Sequence, residues 1–398
     1  MGEKDALLVD RLEAFTAADF KGHEKERLQL IASARKLISR LETDEEKFYA
    51  ISFSEPIIYA ALKTCIDIGL FHGWAAAGGG EESLEDIAKL AATDCDLNLL
   101  RRLLRLLVSA NIIEETGEDR YKPTSFSLSI GDGSTLMAQA LISRAHHWDT
   151  CSMNFPSFLA ETSYREPLDS KNTNYHKSYP EGLPFFERGL SKQIYQESWT
   201  GFMTVWAKYK IPWPEFYDTA SLIDGADLSD GKPLLVDIGG HHGVDLLTLP
   251  DKHPDLPAGC LILQDLPGVV SDLNLTTDKI KIMGHDFFEL QPVHESRAYF
   301  FHAVLHDWSD SVAIKILRNI VPAMKKGYSK LLICDIVIPP TGASIYQAVM
   351  DVNMMSLLSA YERTEVMWRK LINEAGFRII KIWKDPRDFE AVIEAELA

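Results

Sequence analysis

From residue 233 onward the chain alternates short, nearly continuous apolar runs with helical or loop segments. The runs are LLVDI (234–238), CLILQ (260–264), KIKIM (279–283), AYFFHAV (298–304), LLICDIVI (331–338) and FRIIKIW (377–383). Apolar strands in βα alternation predict a parallel sheet covered on both faces. Such an open α/β sheet binds ligands beyond the carboxyl ends of its strands. Acids stand at those ends: Asp237 in the first run, Asp265 closing the second, Asp286 after the third and Asp335 in the fifth.

The first βα turn reads VDIGGHHGVD. Gly239 and Gly240 allow a sharp turn and a close backbone approach to a nucleotide. The dinucleotide pattern GxGxxG is absent because residue 241 is His. Asp237 in the turn repels a pyrophosphate but holds a ligand carrying an ammonium or sulfonium. Asp265 in LILQDLP suits both hydroxyls of a ribose. Asp286 can accept from an adenine amino group while Phe287 stacks on the ring. Each acid alone also fits a helix N-cap, but three acids ending three consecutive strands point to a ligand. The fourth run leads into HAVLHDWSD, which places His306 at the same edge. A histidine there suits proton removal near neutral pH, and a carboxylate on its other ring nitrogen would fix the tautomer. The His241–His242 pair has no nearby acid or cysteine to complete a ligand set, so no metal is expected.

DIGGHHG, QDLP, GHDFF, LHDWSD, DIVIPP and ERTE, in this order and spacing, resemble the S-adenosylmethionine-dependent O-methyltransferases of the plant caffeic-acid type, nearest to the fungal secondary-metabolite branch. The resemblance covers nearly the whole chain. It implies an α/β fold, a Rossmann-like class I methyltransferase sheet with an N-terminal α-helical winged-helix dimerisation domain, and S-adenosyl-L-methionine as cofactor. By the same resemblance Asp237, Gly239, Gly240, Asp265, Leu266, Asp286, Phe287 and His302 contact that cofactor. His306 is similar to the general base, with Asp335 and Glu362 flanking it. His302 stands where relatives often carry Arg or Lys. The family turn DxGGGxG has its third glycine replaced by His241, whose β-carbon would crowd the cofactor or demand a negative φ. The implied reaction is methyl transfer to a phenolic or enolic hydroxyl of a small molecule. Trp199, Phe202, Met203 and Met355 are candidate walls of the acceptor pocket. The alternative is a pericyclase or dehydratase that binds the same cofactor without donating its methyl; His241, His302 and the His146–His147 pair keep it open.

Residues 1–133 carry a different pattern. Apolar residues at three- and four-residue steps (Leu28, Leu30, Ile31, Leu37, Ile38, Leu41) predict an amphipathic helix. The helix IIYAALKTCIDIGLF, a second helix capped by Ser83, a leucine-rich third and a hairpin in IIEETGEDRYKPTSFS form a winged-helix pattern. DNA binding is disfavoured by the formal charge of −17 and by the leucine content of the third helix. Homodimerisation is expected instead. Residues 134–398 are expected to form the cofactor domain with its substrate helices, and the polar stretch 163–184 reads as an exposed loop. No signal peptide, myristoylation site or long apolar span is legible. The five scattered cysteines contain no CxxC pair, so a reducing, cytoplasmic setting is expected.

Overall fold

The computed structural model describes residue 12 and residues 14–398 apart from 272, 274 and 276, with the backbone alone at 230. The expectation of no leader at residues 1–11 lies outside them. The chain divides into two compact units, Met1–Ile142 with Thr200–Val205 and Ser143–Trp199 with Trp206–Ala398.

In the first unit, helices α1 (Glu24–Leu41), α2 (Glu55–Asp67), α3 (Leu70–Ala76), α4 (Leu84–Leu90), α5 (Leu97–Ser109) and α6 (Ser125–Gly131) accompany a three-stranded sheet. Its strands are β1 (Glu82–Ser83), β2 (Ile113–Gly117) and β3 (Arg120–Pro123), in the order β1-β3-β2. This is the expected winged-helix arrangement, with two local corrections. The helix predicted to run into GLF stops at Asp67, because Gly69 turns left-handed at φ +72 and α3 starts afresh. TSFS is not strand: Thr124 accepts the amide of Ser127 and caps α6. Ser83 caps α4 as expected, accepting the amide of Asp86. The core gathers Leu62, Leu70, Trp74, Leu100, Leu104 and Leu107. By contrast, α1 buries none of its residues.

The second unit is built on a seven-stranded sheet. Its strands are β4 (Leu235–Ile238), β5 (Leu261–Asp265), β6 (Ile280–Gly284), β7 (Ala298–His302), β8 (Lys330–Asp335), β11 (Phe377–Lys384) and β12 (Ala391–Leu397), and a separate pair joins β9 (Val337–Ile338) to β10 (Arg363–Thr364). The order β11-β12-β8-β7-β4-β5-β6 is parallel from β8 to β6. Successive residues serve opposite cores, Val236, Tyr299 and Ile333 on one face, Leu235, Phe300 and Leu332 on the other. That double burial is why these strands read as unbroken apolar runs.

The wholly parallel sheet is corrected at one edge. β12 inserts between β11 and β8, antiparallel to both. Residues 385–390 join β11 to β12 too briefly for a crossover helix, so the pair closes as a hairpin. The run 331–338 is likewise two strands, interrupted at Ile336. The stretch 163–184 is not wholly exposed: Asn174–Ser178 is helical, with Asn174 and Tyr175 buried. The amide of Asn174 donates to the Cys151 carbonyl and to Ser356, which draws the segment inward. All five cysteines are free.

Candidate active site

β4 ends at Ile238, and the chain reverses before helix α7 (Val244–Lys252) begins. A β-carbon at Gly239 would meet Val304 at 2.9 Å, and one at Gly240 would overlap the Asp237 carboxylate and Leu263. Close approach therefore demands both glycines. Of the two consequences foreseen for a side chain at 241, a negative φ is not what is observed: His241 sits at φ +50. That left-handed backbone costs about 1 kcal/mol. It also aims the His241 amide at Asp265 Oδ2, 2.8 Å away.

Asp265 accepts a second amide, that of Leu266, at 2.7 Å, so its carboxylate is fixed by two main-chain donors. The Leu266 side chain is exposed. Asp286 accepts the Phe288 amide at 2.9 Å, and the Phe287 ring edge lies 3.8 Å from where a Gly239 β-carbon would be. Asp237 is fully buried, and neither of its carboxylate oxygens has a hydrogen-bond partner among the described residues. Burial, with Asp245 and Asp265 nearby, pushes its carboxyl well above the usual range. An unpartnered buried carboxyl beneath two obligatory glycines makes a cradle that could take a cationic ligand.

Asp237 pairs with Phe300 across β4 and β7, so His302 stands level with Gly239. Its Nδ1 is 2.8 Å from Asp245, and its Nε2 lies 3.2 Å from both Glu390 and the Lys210 ammonium. Lys210 in turn pairs with Glu390 at 2.6 Å. Against the cost of burial, Asp245 and Glu390 hold the His302 imidazole well above its ordinary range.

His306 follows on a single tight turn, Leu305–Asp307. Its Nδ1 donates to Glu362 Oε1 at 2.8 Å and has Asp335 at 3.6 Å. Asp307, which sequence reading left unassigned, lies 3.5 Å from Nε2. Against burial, the carboxylates of Glu362, Asp335 and Asp307 push the imidazole up to about 10. Burial raises Asp335 to about 7 and Asp307 to about 6. Arg363, also unassigned from sequence, is completely buried and fastens this turn. It donates to the carbonyls of Leu305 (2.7 Å) and Trp308 (2.6 Å) and to Asp310 (2.9 Å). Its only signal was adjacency to Glu362 in ERTE. Lys210 and Glu390 had none, since β12 was not foreseen.

Two groups, His302–Cys334–Glu390 and His306–Asp335–Glu362, bring ligating atoms within 4.8 Å of one another. In the first, the Lys210 ammonium already contacts two of the three groups. Of the candidate acceptor walls, Trp199 packs on Phe185 at 5.0 Å and stacks on Trp148 at 6.1 Å. Met355 is half-buried on helix Ile345–Leu358. Phe202 and Met203 are half-buried in Thr200–Val205, which belongs with the first unit.

Comparison with known proteins accords with this geometry. A family model described as an O-methyltransferase domain matches residues 218–378, and one described as an O-methyltransferase dimerisation domain matches residues 53–129. O-methyltransferase ATR12 of Stachybotrys chlorohalonatus is 49% identical over 397 residues, covering 100% of both chains. The structure of OxaC in complex with SAH and oxaline superposes with a TM-score of 0.81 at 25% identity, covering 99% of this chain and 97% of that one. A structure described as a pericyclic reaction enzyme superposes at 0.86, also at 25% identity and over 100% of both chains. With the cradle under the first βα turn, the histidine among acids and a relative matched from end to end, this chain belongs to the O-methyltransferase family.

Proposed function

We propose that the protein is an S-adenosylmethionine-dependent methyltransferase acting on a phenolic or enolic hydroxyl of a small secondary metabolite, with His306 as general base. The observation that carries it is the buried His306, bonded through Nδ1 to Glu362 and without a hydrogen bond on Nε2 among those the described residues make, with Asp307 3.5 Å from that nitrogen. The turn fits the cofactor. Asp237 offers an unpartnered carboxyl, Gly239 and Gly240 leave room that a β-carbon would fill, and Asp265 presents an oriented carboxylate. Asp286, Phe287, Leu266 and His302 complete the set that would hold it. When bound, the cofactor supplies an electrophilic methyl on a positively charged sulfur, and that charge opposes a second proton on His306.

The chain's own part is proton handling and orientation. His306 Nε2 takes the hydroxyl proton, while Glu362 holds Nδ1–H and so fixes the tautomer. Asp335 and Asp307 stabilise the imidazolium that forms. Against burial, the surrounding carboxylates raise the proton affinity of His306, which strengthens it as a base but keeps it protonated at lower pH. The base-competent fraction therefore grows with pH, so turnover should rise above pH 6.5. Within the second unit, Trp199 and Met355 are the walls against which the acceptor would lie.

A second reading has one observation in its favour, the likeness over the whole chain to a pericyclic reaction enzyme. There the cofactor would serve only as a fixed positive charge. Mass spectrometry after incubation with methyl-labelled S-adenosylmethionine and a panel of phenols and enols separates the two. Labelled product with matching S-adenosylhomocysteine is expected. An acceptor that is converted but unlabelled would replace the first reading with the second.

A further inference from the structure

Lys210, His302, Asp245 and Glu390 form a second cluster outside the His306 group, and of the four only His302 has a part in the proposed cofactor set. They come from four separate places: the end of the helix Gln193–Tyr209, the tip of β7, the first turn of α7 and the residue before β12. Lys210 and Glu390 have side chains 9% and 5% exposed, and they pair at 2.6 Å. The Lys210 ammonium also lies 3.6 Å from the centre of the Trp206 ring. Taking two such charges out of water costs several kcal/mol per ion, so a buried pair is weak evidence of a stabilising device and invites another role.

Position suggests that role. In the sheet order, β5 and β6 lie on one side of β4 and carry Asp265, Asp286 and Phe287, the nucleoside side of the cradle. β7, β8 and β12 lie on the other side, where Asp245 and His302 of the cluster act on the buried Asp237 carboxyl and His302 Nε2 lies 3.2 Å from the Lys210 ammonium. A ligand laid across the end of β4 with its nucleoside toward β5 has its other end on the side of His302 and Lys210. For the proposed cofactor, that end is an α-amino acid, carrying one ammonium and one carboxylate.

We propose that Lys210, with His302 beside it, receives the carboxylate of the cofactor's amino-acid tail, while Asp237 takes the tail's ammonium. Glu390 holds the Lys210 ammonium in place when the tail is absent and competes with it for that charge. Lys210 is thus a cofactor-binding residue supplied from outside the βα turn.

The inference rests on the cofactor reading, and calorimetric titration separates the two. Two probes serve: S-adenosylhomocysteine, which carries the tail, and 5′-methylthioadenosine, which lacks it. Lys210→Met should weaken S-adenosylhomocysteine by about 10- to 100-fold, the worth of one charged hydrogen bond. Binding of 5′-methylthioadenosine, which has no carboxylate for Lys210 to receive, should change far less. Lys210→Arg, which keeps the cation, should retain most of the tail-dependent affinity. Glu390→Gln removes the competitor and should raise the ratio of S-adenosylhomocysteine to 5′-methylthioadenosine affinity. An unchanged ratio in both Lys210→Met and Glu390→Gln, or equal loss of both ligands, would overturn the proposal. A wild-type protein that binds neither nucleoside would overturn the cofactor reading and this inference with it.

Discussion

At the scale of single residues, the site is governed by how burial and neighbouring charge act on each titratable group. His306 shows both forces at once: burial lowers its proton affinity, and three carboxylates raise it further, to about 10 from an ordinary 6.5. The folded state therefore binds that proton more tightly than the unfolded chain does. The stabilisation is full below pH 6.5 and lost as pH rises through about 10. The difference in unfolding free energy between wild type and His306→Asn, from urea titrations, should stay constant in acid and shrink across that window. A difference that does not change with pH would show that the carboxylates do not hold the proton. Turnover gives a second check at this scale. His306→Ala should lose about 10²- to 10⁴-fold in methyl transfer, the usual worth of a general base, with S-adenosylhomocysteine binding retained. His306, Asp335 and Glu362 were legible as residues because LHDW, DIVIPP and ERTE carry them, the first two at strand ends. Asp307 was hidden in plain view: nothing in the string HDW says whether its carboxylate faces solvent or the ring it neighbours.

At the scale of elements, the turn after β4 and the turn carrying His306 are each held by contacts from other strands. Gly240→Ala would drive a methyl into the Asp237 carboxylate and Leu263. It should cost about 1–3 kcal/mol, the range for overpacking a filled site, and weaken cofactor binding by calorimetry. Arg363 is the clamp of the other turn. Arg363→Leu leaves the Trp308 carbonyl without this donor and the Leu305 carbonyl with only the Trp308 amide at 3.4 Å, at about 1–3 kcal/mol for a buried group left unsatisfied. The midpoint of urea unfolding should fall accordingly, and turnover should fall further than cofactor affinity, because the clamp grips the His306 turn. The parallel strands could be read from sequence because burial on both faces leaves them almost without polar residues. β12 could not. Its AVIEAEL is made largely of residues that favour helices, and only pairing with β8 and β11 makes it strand. The same pairing delivers Glu390 to the site edge.

At the scale of the whole molecule, the surface of the first unit is the feature that one chain alone does not explain. Ile38, Leu41, Phe48, Tyr49, Ile51, Phe53 and Ile57 are all exposed, in and just before the segment matched by the dimerisation model. Apolar exposure on that scale marks an interface, and a second copy of the chain is the expected occupant. Sedimentation should give a dimer at micromolar concentration, and Ile51→Asp with Phe53→Asp should give monomer; a wild-type monomer would refute the expectation. Among the described residues, no helix is long and apolar enough to cross a membrane. By itself the sequence determined the alternating architecture, the acids at the strand ends and the histidine among them, because periodicity and turn chemistry are local properties. The tertiary structure alone decided that the last strand runs antiparallel and that Arg363 clamps the His306 turn. It also decided that Lys210 meets His302 and Glu390, because such contacts depend on which strands become neighbours, and strand order is written in no local stretch of chain.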